Sequence, residues 1–291
     1  MVTYNPKDWI KLILHFHKSD TMRILFPAMF LLGGITFLVS YVEQHYLRNL
    51  LPPNLTVFHQ ISGFIISLVL VFRINSAYDR WWEGRKLWGA LINNSRNLAL
   101  KLNALFPKED VYSRKKAQLL ISNYALCLKE HLRGNSAEQI LQFDESFSRE
   151  AYLNADHKPN FIARELTAFL MEHFNSRSQH PVDYLVYNQN INELTDICGA
   201  CERIKSTPIP YSYSIFIKKI IFIYVITMPF TFGLSVGYWS IFIVMLMFYA
   251  FASMELISEE IEDPFGSDDN DLPTDDIAEK IRINTNEILF S

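Results

Sequence analysis

Cysteine is scarce, with three in 291 residues. That is too few for the disulfide framework of a small secreted scaffold. Basic residues show no excess, because Lys plus Arg is 27 against 31 Asp plus Glu, a formal net charge of −4. Without a basic domain there is no electrostatic footprint for nucleic acid. Neither common glycine-rich phosphate loop occurs, and no His-Glu-x-x-His zinc helix is present. No period-two strand pattern or internal repeat stands out. The eight histidines are scattered. Cys198-Gly-Ala-Cys201 has no second cysteine pair to complete a zinc site and no thioredoxin-like strand before it. It reads as small buried residues in a packed helix. An enzyme is therefore not expected. Global disorder is excluded as well, since aromatics make up 14% of the chain and charged residues only 20%.

Long uncharged apolar runs are plentiful. The first extends from Ile24 to Val42, between Arg23 and Glu43. It is too long for a signal-peptide core and has no small-residue cleavage pattern behind it. The second extends from Leu55 to Phe72 and stops at Arg73. Two more lie between Ile220 and Ile257, separated by the turn-like Gly233-Leu-Ser-Val-Gly-Tyr-Trp239. At about 1.5 Å rise per residue, each run approaches the length needed to cross a bilayer. Pro27 and Pro229 are placed to kink the first and third spans. His59, inside the second run, reads equally as a functional intramembrane group and as a side chain reaching the headgroups.

Basic residues beside the span ends set the orientation. Lys7, Lys11, Lys18 and Arg23 precede span one; Arg73, Arg80, Arg85 and Lys86 follow span two; Arg203, Lys205, Lys218 and Lys219 precede span three. The loop between spans one and two has only Arg48, and the loop between spans three and four has no charge. Both termini and residues 73–219 are thus expected in the cytoplasm of a multi-pass plasma-membrane protein.

The region between spans two and three reads as helix. No proline interrupts Ala77 to Leu105, so span two is expected to continue as one long helix. Amphipathic periodicity predicts helices near Arg114–Leu132, Phe161–Phe174 and Val182–Ile204, the last ended by Ser206-Thr-Pro-Ile-Pro210. Residues 8–17 read as a helix lying on the inner membrane surface. The division is 1–23 interfacial, 24–72 spans one and two, 73–219 cytoplasmic helices, 220–257 spans three and four, and 258–291 an acidic tail. The expected fold is an all-α integral membrane protein with four transmembrane helices per subunit and a large helical cytoplasmic region.

Two local blocks concentrate polar chemistry. One is Phe72-Arg73-Ile-Asn75-Ser-Ala77-Tyr78-Asp-Arg80-Trp81-Trp82-Glu83-Gly84-Arg85. By itself it is an anchored helix end, with arginines stacked on an interfacial aromatic belt. The other is Glu259-Glu260-Ile-Glu262-Asp263-Pro264-Phe265-Gly266-Ser-Asp268-Asp269-Asn270-Asp271-Leu272-Pro273, by itself a solvated acidic loop. A third run, Cys201-Glu-Arg-Ile204 followed by Pro208-Ile-Pro210-Tyr211, precedes span three. Together and in this order, the three resemble the signature blocks of the bestrophin family of ion channels, in its bacterial branch. The likeness extends over nearly the whole chain, as one channel domain, 1–291, in the bacterial inner membrane.

The resemblance implies a homopentameric ring around an axial pore in the lipid bilayer, lined by span two and permeated by small ions, by default chloride and other anions. It implies a pore neck of three apolar rings at Phe64, Leu68 and Phe72, a second constriction at Val182, and a signature of Arg73, Asn75, Arg80, Trp81 and Trp82. In animal members the acidic block binds calcium. Glu260, Asp263, Asp268 and Asp271 hold the matching positions here, with oxygen donors that suit Ca²⁺. Ser267 and Asn270 interrupt the run, so no cofactor is required and calcium is the one candidate. Spacing alone does not single out the neck, because Ile61, Ile65 and Val69 are equally apolar. The acidic tail and net charge would suit a monovalent cation channel of the same architecture, for Na⁺ or K⁺, if those carboxylates faced the ion path. A non-conducting scaffold or sensor, docking a partner through that tail, is the reading from another class. Absent repeats disfavour a secondary transporter.

Overall fold

A computed structural model describes residues 21–46, 55–176 and 184–291. The surface helix expected at residues 8–17 and the constriction expected at Val182 lie outside the described residues. Among those residues the chain is helical, with a single isolated β-bridge between Asp144 and Phe147. Nine α-helices are described: α1 Thr21–Tyr46, α2 Leu55–Leu105, α3 Val111–Arg133, α4 Arg149–Asn154, α5 Lys158–Ser176, α6 Leu185–Ser206, α7 Tyr211–Val236, α8 Ser240–Glu262 and α9 Thr274–Phe290. α1 runs through Pro27 and α7 through Pro229 without interruption. Four of the helices, α1, α2, α7 and α8, are long and apolar enough to cross a membrane.

The contacts separate into two compact units. The first takes the chain up to Trp81, then Pro208–Asp263 and Asp268–Asn270; the second takes Trp82–Thr207, Pro264–Ser267 and Asp271–Ser291. The division falls inside α2, between its two adjacent tryptophans.

In the first unit, α1 reverses the pattern of a water-soluble helix. α1 buries a stripe of small and polar residues that includes Gly33, Thr36 and Ser40. Its large apolar side chains, such as Phe26, Phe30, Leu31 and Leu38, are exposed. Small residues let membrane helices approach closely, and large apolar ones belong against lipid. A Cβ at Gly63 of α2 would stand 2.5 Å from the Tyr224 hydroxyl oxygen on α7. Two buried hydroxyls meet across helices, Ser40 Oγ and Ser240 Oγ at 2.9 Å. Between the helices Ile66, Leu70, Ile217, Ile221, Tyr224, Val225, Met228, Val244 and Phe251 form an apolar core.

His59, buried in α2, bridges two threonines of α7. The Thr227 hydroxyl donates to the carbonyls of Ile223 and Tyr224, so its oxygen accepts from His59 Nε2 at 3.0 Å. His59 Nδ1 then accepts from Thr231 Oγ1 at 2.9 Å. Both ring nitrogens are satisfied inside the protein, which answers the headgroup reading.

In the second unit, local signals set the helix ends. Asp110 caps α3, accepting from the Ser113 amide at 3.1 Å, and Gly134 closes it in the left-handed conformation with φ 73°. α6 stops at Ser206, ahead of the predicted Pro208 breaker. Cys127, Cys198 and Cys201 are all buried and free, as small core residues should be. One element departs from the sequence expectation. The last part of the acidic tail forms a helix that the sequence reading did not predict: α9 packs along α3 and buries Thr274, Ala278, Ile281, Thr285 and Leu289. Lys129 and Arg133 of α3 hold Asp275 of α9, at 2.7 and 2.6 Å.

Candidate functional site

α2 presents two opposed faces within the first unit. His59, Gly63, Ile66, Leu70, Arg73 and Ala77, spaced three or four apart, are buried. Phe64, Leu68 and Phe72 lie away from that face and are 72%, 47% and 57% exposed in the single chain. Ile61, Ile65 and Val71 are exposed beside them. With about 1.5 Å rise per residue, Phe64 to Phe72 covers about 12 Å of helix.

The residue that follows Phe72 turns inward. Arg73 is 1% exposed, and its guanidinium meets carboxylates from α8. Its Nη2 stands 2.8 Å from Glu262 Oε2, and its Nε stands 3.5 Å from Glu255 Oε2. The other Glu262 oxygen, Oε1, accepts the Ile209 amide at 2.6 Å. The Glu262 carbonyl accepts from Arg80 Nε at 3.0 Å. One glutamate thus joins three segments: the arginine-tryptophan block, the acidic block and the Pro208-Ile-Pro210 run.

A second set of bonds extends the cluster. Trp81 Nε1 donates to the Asn270 carbonyl at 3.0 Å, and Asn270 Nδ2 donates to Glu260 Oε2 at 2.6 Å. Tyr78 stacks on Trp81, with centroids 6.0 Å apart. Asn75 is exposed. In the second unit, Arg85 lies over the Trp82 ring at 5.6 Å, the stacking expected of this block. There Phe265 is buried against Gly84, where a Cβ would lie only 3.1 Å from the ring. The Leu272 amide donates to the Pro264 carbonyl at 2.9 Å and closes the loop that carries Phe265.

The carboxylates expected for calcium are divided between the two units. Glu260, Asp263 and Asp268, all in the first unit, do not gather within 4.8 Å as a ligand set. Glu260 is engaged by Asn270, and Asp271 is buried in the second unit with its Oδ2 close to Gly266. Sequence reasoning did not single out Glu255 and Glu262 as the partners of Arg73. The one signal available for Glu255 was a carboxylate placed near the end of an apolar run.

The arrangement can do two things chemically. It fixes the rotation of α2 with a buried charge cluster, and it leaves an apolar stripe immediately before that anchor. Comparison with known proteins gives this stripe a context. A family model described as "Bacterial/Fungal Bestrophin protein" matches residues 1–287. A protein of Nostoc sp. named as a voltage-dependent anion channel-forming protein is 34% identical over 99% of this chain and 94% of its own length. The similarly named YneE of Escherichia coli K12 is 29% identical, over 97% of this chain and 92% of its own length. A crystal structure of a bacterial bestrophin homologue from Klebsiella pneumoniae is 24% identical, covers 91% of this chain and 98% of that one, and has a TM-score of 0.83, a likeness of fold.

Proposed function

The chain belongs to the bacterial and fungal bestrophin family, and from that premise we propose that it forms a homopentameric channel for chloride and other small anions. The observation that carries this reading is the two-faced α2. Its inner face is buried in the core of one chain, while Phe64, Leu68 and Phe72 stay exposed on the other. Helices of one subunit that pack on one another do not by themselves enclose a channel, which favours an ion path between subunits. A closed ring brings one such stripe from every copy to a common axis. The names of the Nostoc and Escherichia coli relatives, as anion channel-forming proteins, support anions as the cargo.

The mechanism is wetting and dewetting. A narrow collar of hydrocarbon side chains about 12 Å long expels water and with it any ion that needs a hydration shell; slight dilation admits water and current. Arg73 acts as a positioning residue. Its ion pairs with Glu255 and Glu262 hold α2 one residue after the last ring, so rotation of the neck is coupled to α8. The cation reading loses support because several tail carboxylates are compensated internally, Glu262 by Arg73, Asp275 by Arg133 and Lys129, and Glu279 by Arg282. The mechanism makes no use of calcium on Glu260, Asp263, Asp268 and Asp271, or of Val182. Both termini are taken as cytoplasmic, from the flanking basic residues.

Reconstitution in liposomes tests the proposal. Under a KCl gradient the reversal potential should move towards that of chloride. The combined Phe64→Ala, Leu68→Ala and Phe72→Ala variant should pass more current while keeping the native oligomer mass in detergent. Wild-type currents from a correctly assembled triple variant would reject the neck, and a pentamer without flux would favour a non-conducting module.

A further inference from the structure

The second unit gathers three metal-ligating side chains that the sequence keeps far apart. His131 stands in the last turn of α3, His157 just ahead of α5, and Glu202 near the end of α6. His131 Nε2 lies 2.6 Å and His157 Nε2 2.7 Å from the same oxygen, Glu202 Oε1. The two imidazole centroids are 4.9 Å apart. The three side chains are 30%, 35% and 35% exposed, so the cluster is reachable from solvent.

We propose that His131, His157 and Glu202 form a binding site for a divalent transition-metal ion, with Zn²⁺ as the best-matched occupant. Two imidazoles and one carboxylate are a donor set that zinc accepts, with a fourth position left to water. Calcium and magnesium want more oxygens than the cluster offers. Ligand atoms about 2.1 Å from a tetrahedral ion stand about 3.4 Å from one another. The present contacts of 2.6 and 2.7 Å therefore need to open by about 0.7 Å, a side-chain adjustment for partly exposed groups.

The neighbouring lysine is engaged elsewhere. Lys158, next to His157, is turned away and donates to the carbonyls of Tyr152, Leu153 and Ala155 at 3.0, 2.8 and 2.6 Å. His157 Nδ1 accepts the Asn160 amide at 3.1 Å. That bond places the ring proton on Nε2 in the metal-free protein. Metal binding displaces this proton; the neutral ring then carries its proton on Nδ1, and the exposed Asn160 amide passes to solvent. An ion at this position ties together the ends of three helices.

Full-length protein in detergent, stripped with a chelator, is dialysed against Zn²⁺ and its metal content read by mass spectrometry. One zinc per chain is expected. The combined His131→Ala and His157→Ala variant, and Glu202→Gln alone, should weaken binding by at least about 100-fold while eluting at the wild-type volume. Zinc retained by these variants, or none bound by wild type, would overturn the site. Should the variants fail to fold, Co²⁺ added to the wild-type protein still decides. A visible band of four-coordinate cobalt without thiolate charge transfer supports two histidines, a glutamate and water. A weak octahedral spectrum, or a strong thiolate band from Cys198 or another cysteine, refutes that ligand set.

Discussion

Replacing Arg73 with methionine should destabilise the first unit by about 3–5 kcal/mol, the usual consequence of removing one partner from a buried ion pair. The structure explains the size. The guanidinium sits 2.8 Å from Glu262 and 3.5 Å from Glu255. With an effective dielectric of about 20, these separations correspond to attractions of about 6 and about 5 kcal/mol. Most of that sum is offset by taking three charges out of water. Arg73→Met deletes the attraction and leaves the desolvation in place, because the Glu255 and Glu262 side chains are only 6% and 14% exposed. Arg73→Lys keeps the charge without the planar fork that spans two carboxylates, and should fall between wild type and Arg73→Met. Adding Glu255→Gln and Glu262→Gln to Arg73→Met removes the stranded charges and should restore most of the loss, since a glutamine oxygen still accepts the Ile209 amide. The assay is thermal unfolding of purified protein followed by tryptophan fluorescence. At about 2–4 °C per kcal/mol, Arg73→Met should melt about 6–20 °C lower. A fall below about 2 °C, or a triple variant no better than the single one, would refute the clamp.

The remaining expectations concern the second unit. Burial pushes the thiols of Cys127 and Cys201 up to about 12 and raises Cys198 as well. The folded protein should therefore take up almost no maleimide at pH 7, and all three cysteines should react in denaturant; rapid labelling of Cys198 or Cys201 in native protein would revive a redox role. Hydrogen bonding from Arg133 holds the Asp275 carboxyl at about 2, against 3.8 in a free chain. A carboxyl depressed on folding contributes stability above its unfolded value, and the contribution disappears as pH falls through the folded one. Asp275→Asn should thus be slightly less stable than wild type at neutral pH, with the gap closing between pH about 4 and about 2. A gap of constant size across that range, measured by chemical unfolding, would contradict the pairing. Gly84→Val should destabilise by about 1–3 kcal/mol through overpacking against Phe265, and an unchanged melting temperature would show that the loop yields freely.

Much of the architecture was legible in local sequence. Uncharged runs gave four spans, and the lack of proline after Ala77 gave one helix through Leu105. Periodicity located α3, α5 and α6 within a few residues of their ends. α9 escaped because its buried stripe of Thr274, Ala278, Ile281, Thr285 and Leu289 is only weakly apolar and is interleaved with charges. Its helix was visible only as Asp275 and Asp276 in a first turn after a proline.

The sites were less legible than the spans. Arginine, tryptophan and acidic blocks could be recognised, but not that Glu262 joins Arg73 to Ile209. Nor could His131, His157 and Glu202 be seen as one cluster, since no helical or strand period links positions so widely spaced. Composition fixes what a bilayer will accept, because hydropathy adds up over neighbouring residues in one segment. Which charge meets which depends on ångström distances between side chains brought in by different helices, and only the packing of those helices decides that.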